Sequence, residues 1–300
     1  MTATAEVSNP TSIDSRGPVR AQRKYRAGLL AMLAGAVGNQ TGAAVGAHAF
    51  PAIGPAGVVA VRQLVAAVVL LSVARPSLRR LTWRQWWPCL VLAAVFAMMN
   101  LSLYSAIERL GLGLAATLEF LGPLTVALIG SRGLRDLALA LIAATGVYVL
   151  VLPGPSSDFV GLTLGLLAAT CWAFYIVANR IAGQRLPGLE APGVASLVSA
   201  TIYLPVLILL ALDGALSGWP VLMAIAAGVL SSAVPYAADL TALRFIPQRF
   251  FGVFMSVNPV LAALAGMLLL GQKLALHEWL GITIVVTANV FATLQQRQAR

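Results

Sequence analysis

The chain alternates long apolar runs with short breaks that are polar or contain glycine and proline. Ten of these runs are about 20 residues long, enough to cross a hydrocarbon core of roughly 30 Å as an α-helix. They lie near residues 27–48, 56–74, 86–106, 111–129, 134–152, 161–182, 191–212, 219–241, 249–270 and 276–294. The pattern predicts an all-α integral membrane protein with ten transmembrane helices, called spans 1 to 10 below.

Residues 1–26 differ from the rest of the chain, because they are polar and rich in Ser, Thr and Pro. This composition predicts a disordered cytoplasmic tail. The basic cluster in front of span 1 also resembles the start of a signal peptide. Span 1 is about 22 residues long, however, whereas the apolar part of a signal peptide has roughly 7–15. We therefore predict a retained first helix, followed by two five-helix units at 27–152 and 161–295.

The composition fits a lipid environment and excludes other classes of protein. Charged residues make up 10% of the chain and hydrophobic residues 59%. Soluble domains average about 25% charged residues, so a soluble globular domain is excluded. The formal net charge of +10 does not indicate a nucleic-acid partner, because the basic residues form short clusters between apolar runs. Cys89 and Cys171 lie within apolar runs and offer no disulfide framework.

The basic residues also predict the orientation of the chain, because Lys and Arg are enriched in cytoplasmic loops. With the N-terminus inside, seventeen of the twenty Lys and Arg residues fall on the cytoplasmic side. Arg109 and Lys273 fall on the opposite side, and Arg62 lies within span 2. Both termini are therefore predicted to be cytoplasmic.

The second half of the chain repeats the first at a shift of 136 residues. Gly57-Val58 aligns with Gly193-Val194, and Pro123 aligns with Pro259. A unit of five helices reverses its orientation when it is duplicated, so the halves are predicted to be inverted repeats around a central cavity. Secondary transporters often have this architecture, with the substrate site near the midplane. The alternative is an ancestral duplication that carries no transport activity.

Two charged residues lie at similar depth within predicted spans, where ionisable side chains are costly unless paired or hydrated. Arg62 lies in span 2 and Glu119 in span 4, roughly 12 Å from the same surface. We predict that they pair, with Arg62 keeping Glu119 ionised or orienting it. The pair is either a site that contacts substrate or a coupling ion, or a structural salt bridge between the two spans. Val198 and Met255 occupy the equivalent positions of the second half.

Uncharged polar and aromatic side chains near mid-membrane predict a partly polar cavity. For any one of them, interhelical hydrogen bonding is sufficient explanation, but the set favours a binding site. Gly38, Gly42 and Gly46 predict a close-packed face on span 1, and mid-span Pro123 and Pro259 predict helix bends that act as hinges. The polar and aromatic set is Asn39, Gln40, Asn100, Tyr104, Trp172, Tyr175, Tyr236 and Asn258.

The sequence lacks motifs for enzymatic chemistry. It contains no GxxxxGK[ST] phosphate loop, no HExxH metal motif and no Gly-x-Ser-x-Gly nucleophile motif. His48 and His277 are far apart at the predicted outer surface. We therefore predict no cofactor, no metal and no enzymatic activity.

Several segments resemble the EamA-type branch of the drug/metabolite transporter superfamily, which exports threonine, homoserine and other amino acids. The resemblance implies ten helices in two inverted five-helix repeats, and export of small metabolites across the bacterial inner membrane. Gln272 stands where the family commonly has an acidic residue. The match covers about residues 27–295 and is carried by segments 54–62, 112–123, 171–175, 231–236 and 247–259.

These observations predict a secondary transporter that exports amino acids or related small metabolites by alternating access. Spans 1, 3, 4, 6, 8 and 9 would enclose the cavity. Glu119 and Arg62 would bind the charged groups of a zwitterion, and Trp172 and Tyr175 would cover its apolar side chain. The expected partners are this small molecule and the lipid bilayer, with proton coupling and facilitated diffusion both open. The alternatives are a multidrug, organic-cation or sugar-phosphate transporter of the same superfamily, and an intramembrane enzyme or scaffold.

Overall fold

The computed structural model describes residues 16–129, 134–152, 158–235, 238 and 254–295, and all regular elements in these ranges are helical. A single 3-10 turn (Leu78–Arg80) precedes α3, and a π-helical turn (Val229–Ala233) follows α10. The helices are α1 (Arg16–Ala47), α2 (Phe50–Ala74), α3 (Trp83–Leu110), α4 (Leu112–Glu119), α5 (Leu121–Ile129), α6 (Leu134–Val151), α7 (Phe159–Gly183), α8 (Glu190–Ile202), α9 (Leu204–Leu212), α10 (Gly218–Gly228), α11 (Asn258–Leu270) and α12 (Leu276–Gln295).

Each of the ten predicted spans coincides, within the described residues, with one helix or with two helices in tandem. Span 4 corresponds to α4 and α5, and span 7 to α8 and α9, which are bent by 46°. The helix of span 1 begins at Arg16, within the segment predicted to be a disordered tail. Residues 16–26 contain Ala, Gln, Lys and several Arg, all strong helix formers, so the apolar helix continues into them.

Four helices are long and apolar enough to cross a membrane, namely α2, α3, α7 and α12 over Leu276–Leu294. The bent pair of α8 and α9 makes a fifth candidate. Other apolar helices in the described ranges, such as Gly218–Ser232 and Asn258–Leu270, have 10–17 residues. Many large apolar side chains point outward, including Leu209 at 61% exposure and Leu268 at 81%. The chain is therefore a multi-pass membrane protein whose described regular elements are all helical.

The helix contacts are largely preserved when the two halves of the chain are exchanged. The exchange pairs α1 with α7, α2 with α8 and α9, α3 with α10 and the π-helical turn, α4 and α5 with α11, and α6 with α12. The α3–α7 contact then corresponds to α1 against α10 and the π-helical turn, and the α3–α8 contact to α10 against α2. The α4–α7 and α5–α7 contacts correspond to α11 against α1, while α2–α8, α4–α11 and α6–α12 map onto themselves.

Small residues allow the close approach of these helices, as predicted for α1. A Cβ atom at Gly38 would lie 3.1 Å from Val234 Cγ1, and one at Gly46 would lie 3.1 Å from Ala227 Cβ. At Gly42 it would overlap the hydroxyl of Ser231. The prediction of a close-packed glycine face is therefore confirmed, and the face contacts α10 and the π-helical turn.

The breaks near Pro123 and Pro259 differ from the predicted mid-helix bends. The first break is at Phe120, between α4 and α5, and the second is the turn at Ser256, just before α11. Each proline lies three residues after the break, in the first turn of the next helix. A proline ring clashes with the carbonyl four residues before it and is favoured in the first helical turn. The helix therefore ends ahead of the proline, and the two breaks are separated by the repeat shift of 136 residues.

Candidate functional site

A cavity of about 240 Å³ lies among the helices at the level of these breaks. Its walls come from the six predicted spans (α1, α3, α4, α7, the π-helical turn and the start of α11) and also from α2 and α8. Span 2 contributes the predicted residue Arg62 although it was not among the six enclosing spans, and the contribution of span 7 through Ser196 was not predicted.

Most of the predicted binding residues meet at this cavity. Pro123 and Pro259 are absent from its walls, which is consistent with a role in helix geometry. Tyr236 lies outside the described residues. The predicted residues that line the cavity are Asn39, Gln40, Arg62, Asn100, Tyr104, Glu119, Trp172, Tyr175 and Asn258.

Arg62 is held by neutral acceptors. Its Nη1 donates to Asn100 Oδ1 at 2.7 Å, and its Nη2 donates to the carbonyl oxygen of Ser231 at 3.4 Å. The guanidinium carbon lies 5.2 Å from the centre of the Tyr104 ring, within range of a cation–π contact. These contacts link the Arg62 guanidinium on α2 to α3 and to the π-helical turn.

The Ser231 carbonyl is available to Arg62 because the local helix is irregular. Val234 N–H donates to the carbonyl of Val229, the five-residue separation of a π-helix. Pro235 is four residues after Ser231 and has no N–H with which to form the α-helical bond. The sequence thus places an acceptor beside the cavity, and the Ser231 hydroxyl donates to the Asn39 carbonyl at 3.1 Å.

Glu119 is the last residue of α4 and is 8% exposed at the cavity wall. The predicted pairing with Arg62 is wrong in its geometry, since both side chains are described and no ion pair joins them. The only ion pair among the described residues joins Arg109 and Asp158. Arg62 instead donates a hydrogen bond to Asn100, which lies opposite it on α3. The structural salt bridge between spans 2 and 4 is therefore absent.

Aromatic rings form another wall of the cavity. Trp172 packs edge-on against Phe120 with ring centres 4.6 Å apart, and Tyr175 lies 5.6 Å from Phe96. Gly122 allows this approach, because a Cβ atom there would overlap the carbonyl oxygen of Ala169 on α7. The break after α4 thus brings Glu119 and the aromatic wall to the same cavity.

Amide side chains connect α1 to α11 across the cavity. Gln40 Nε2 donates to Asn258 Oδ1 at 3.3 Å, and Asn258 Nδ2 donates to the Met255 carbonyl at 2.9 Å. Met255 is the last residue before the second break, so the Asn258 amide bonds a carbonyl that Pro259 cannot reach. These bonds satisfy polar groups that would be costly if unpaired in a membrane.

The hydroxyl of Tyr104 is fully buried and has no hydrogen-bond partner among the described residues. Its ring packs against Phe50 at 5.9 Å and beneath Arg62. An unsatisfied buried hydroxyl costs roughly 1–3 kcal/mol. The Tyr104 hydroxyl is therefore a buried donor that no described group uses.

Sequence reasoning missed several lining residues. Met255 could have been found, because it is the repeat equivalent of Glu119. Gln63 is adjacent to Arg62 in the chain and donates to the Phe96 carbonyl at 3.4 Å. The remaining residues are small or apolar, and nothing in an apolar sequence separates them from ordinary packing residues. The missed polar and aromatic lining residues are Gln63, Phe96, Phe120, Ser196, Ser231 and Ser232.

Comparison with known proteins supplies a family for this fold and cavity. Residues 159–294 match the model of the EamA-like transporter family. The chain is 35% identical over 274 residues to the threonine/homoserine exporter RhtA of Salmonella typhimurium, covering 90% of this chain and 92% of that protein. It is also 35% identical over 263 residues to the threonine/homoserine exporter RhtA of Escherichia coli K12, covering 86% of this chain and 88% of that protein.

A solved crystal structure has a similar fold. Its TM-score is 0.59 with 20% sequence identity, covering 93% of this chain and 99% of that chain. The sequence matches these relatives, and the fold matches the solved structure, over at least 86% of this chain. The chain belongs to the EamA-like transporter family.

Proposed function

We propose that this protein is a secondary transporter that exports small amino acids across the bacterial inner membrane by alternating access. The relatives described as threonine/homoserine exporters support the substrate class, since each is matched over at least 86% of this chain. The transport class is supported by a partly polar cavity lined by helices within an apolar, multi-pass protein.

The proposed architecture is ten membrane-spanning helices in two inverted five-helix repeats. Exchange of the two halves preserves most helix contacts, and the breaks at Phe120 and Ser256 fall at repeat-equivalent positions. The strong asymmetry of basic residues supports cytoplasmic termini. In this architecture the cavity lies at the interface between repeats, where related transporters bind substrate.

One observation carries the proposal: Arg62 and Glu119 line the same cavity without pairing with each other. Arg62 retains guanidinium donors beyond those used by Asn100 and Ser231. The Glu119 side chain makes no hydrogen bond or ion pair among the described residues. An amino-acid zwitterion supplies both missing partners, with its carboxylate at Arg62 and its ammonium group at Glu119. A charge unpaired in the empty cavity gains more from binding than one already in a salt bridge.

The size of the cavity favours a small metabolite. Its volume is about 240 Å³. Sites for drug-sized ligands occupy roughly 300–1,000 Å³. The aromatic wall of Trp172, Tyr175, Phe96 and Phe120 would cover a short side chain.

Alternating access would use the two breaks as hinges. Helical structure is interrupted at Phe120, between α4 and α5, and at Ser256, before α11, so each half-helix could tilt without breaking hydrogen bonds that a continuous helix would have. Glu119 is the proposed site of proton coupling, because it is the described carboxyl group that can exchange a proton for a cationic substrate group within the cavity.

Counterflow in proteoliposomes preloaded with single amino acids tests this function. We expect uptake of labelled threonine only when a matching amino acid is inside, and loss of that uptake in Glu119→Gln and in Arg62→Ala. Glu108→Gln is the matched control, because Glu108 is an exposed carboxylate on α3 that does not line the cavity.

The same experiment separates the alternatives. Uptake of organic cations or sugar phosphates without amino-acid counterflow would replace the proposed substrate. Intact transport in both Glu119→Gln and Arg62→Ala would show that these residues are structural. A protein that moves none of these solutes would favour an intramembrane enzyme or scaffold.

A further inference from the structure

A second concave site lies at the end of the bundle where α3 begins and α7 ends. It has a volume of about 580 Å³ and is lined by Thr82, Arg84, Gln85, Trp87 and Arg185. Arg84 precedes Asn100 by sixteen residues, which corresponds to about 24 Å along α3. The site is therefore well separated from the central cavity.

Hydrogen bonds between the two helix ends organise this site. Arg185 Nη1 donates to the Arg84 carbonyl at 2.7 Å, and Gln85 Nε2 donates to the Arg185 carbonyl at 3.4 Å. Gln85 also belongs to the capping box of α3, accepting from the backbone N–H of Thr82 at 2.9 Å. The guanidinium carbon of Arg185 lies 4.6 Å from the centre of the Trp87 ring. Arg185 is thus held by its bond to the Arg84 carbonyl and by the Trp87 ring, and only part of its guanidinium donors is used within the protein.

Neither Arg84 nor Arg185 forms an ion pair with an acidic residue in the part of the chain that the structure describes. The only ion pair among the described residues is at Arg109 and Asp158. Glu190, which begins the helix after α7, forms none with Arg84 or Arg185. The side chain of Arg84 has no hydrogen-bond partner among the described residues, so its planar set of donors is free. Arg84 and Arg185 both line the site, and their guanidinium donors not used within the protein suit the oxygens of a phosphate group.

An apolar track leads away from the arginines along α3. Arg84, Trp87, Val91 and Met98 recur at intervals of three, four and seven residues, which places them on one helix face. Val91 is 46% exposed and Met98 is 52% exposed. Trp83, 70% exposed, is the first residue of α3 and has the character of a membrane-interface anchor. A ligand with a phosphate head and an acyl tail would contact both the arginines and the apolar face of α3, whereas free phosphate would contact only the arginines.

We infer that Arg84, Arg185 and Trp87 form a binding site for the phosphate headgroup of an anionic phospholipid, with an acyl chain lying along Val91 and Met98. Basic pockets between transmembrane helices are suited to such headgroups. The lipid would join the start of α3 to the end of α7. This assignment does not depend on what the central cavity transports.

Native mass spectrometry of the purified full-length protein, titrated with single lipids, tests the site. We expect a retained phosphatidylglycerol adduct with weaker retention of phosphatidylcholine. Each loss of an arginine should weaken phosphatidylglycerol binding about fivefold, since one basic residue near anionic lipid contributes on the order of this factor. Arg84→Gln is the primary variant, because its side chain holds no other element in place, and Arg84→Gln with Arg185→Gln should weaken binding further.

Arg79→Gln is the matched control, because it removes the same charge from the preceding exposed turn without lining the site. It should bind phosphatidylglycerol like the wild type. Equal binding of phosphatidylglycerol by wild type and Arg84→Gln would overturn the site, as would equal retention of phosphatidylcholine. Competition by glycerol phosphate or inorganic phosphate at the lipid's own concentration would show a soluble-phosphate site and would overturn the lipid assignment.

Discussion

Arg62 on α2 donates to the Asn100 side chain on α3 at 2.7 Å, so a neutral amide anchors the charge inside the membrane. Asn100 in turn donates to the Phe96 carbonyl at 2.8 Å, which fixes its oxygen toward Arg62. The arginine is therefore positioned before substrate arrives, while its charge remains uncompensated by a carboxylate.

Asn100→Ala should weaken substrate binding at least about tenfold in counterflow, because a hydrogen bond to a charged group contributes roughly 1.5–3 kcal/mol. The control is Asn289→Ala, since Asn289 is also a buried asparagine whose amide donates to the carbonyl four residues earlier, at 3.1 Å, but it lies on α12 away from the cavity. Similar effects of both substitutions on affinity would contradict a positioning role for Asn100.

Gly42→Ala should destabilise the protein by roughly 1–3 kcal/mol, the usual cost of overfilling a packed interface. The added Cβ atom would lie 2.9 Å from Leu230 Cβ and 2.9 Å from the backbone nitrogen of Ser231. Thermal unfolding in detergent measures the effect as a lower Tm. Gly183→Ala on α7 is the control and should leave Tm unchanged or slightly higher, because its Cβ atom would meet nothing within 4 Å.

Gln272→Leu should loosen the bundle where α4 begins. The Gln272 side-chain oxygen accepts from the backbone N–H of Leu112 at 3.0 Å, and it thereby caps a helix whose own cap position is Gly111. We expect faster labelling of a cysteine placed at Leu103, on the cavity wall, by a membrane-impermeant maleimide. The background should have Cys89 and Cys171 replaced. Gln272→Glu keeps an acceptor and should label like the parent, and equal labelling in Gln272→Leu would rule out this capping role.

Asp158→Asn should lower Tm at neutral pH but have no effect in strong acid. The backbone N–H of Gly161 donates to Asp158 at 2.8 Å, and this bond, with the Arg109 guanidinium 2.9 Å away, lowers the pKa of the Asp158 carboxyl. Its stabilising contribution is complete above the pKa of an unfolded-chain aspartate, about 3.9, and disappears as the pH falls through the lower folded-state value. Tm measured from pH 7 downward should show the wild type converging on the variant, and a constant difference would contradict this.

The positions of the helices were predictable from the sequence because membrane thickness fixes the length of an apolar segment. The bounds of α6, α7 and α12 differ from the predicted spans by no more than two residues. The break at Phe120 was not predicted, since hydropathy averages over a whole span. Pro123 did signal a disturbance there, but the clash of its ring falls on the preceding turn, so the break lies closer to Glu119 than to the proline.

The composition of the cavity was largely predictable, whereas its bonding was not. Polar side chains in apolar spans must find partners or water, so residues such as Gln40, Asn100 and Asn258 were expected to converge. Which groups bond depends on how the helices face each other, and a single sequence does not contain that information. Glu119 was the expected partner of Arg62, because it is a carboxylate at equal depth. In the structure, Arg62 donates instead to the Asn100 side chain and to the Ser231 carbonyl.

The placement of Arg62 and Glu119 on one cavity has an electrical consequence. With both groups ionised, the site carries no net charge, and an amino-acid zwitterion adds none. If Glu119 is protonated on the return step, as the proposed proton coupling requires, the empty site carries one positive charge. Its return then moves that charge through the membrane field, which is worth about 2.3 kcal/mol per elementary charge at 100 mV. Voltage-dependent transport would therefore report a proton carried on Glu119, and voltage-independent transport would indicate a carrier that moves the amino acid alone.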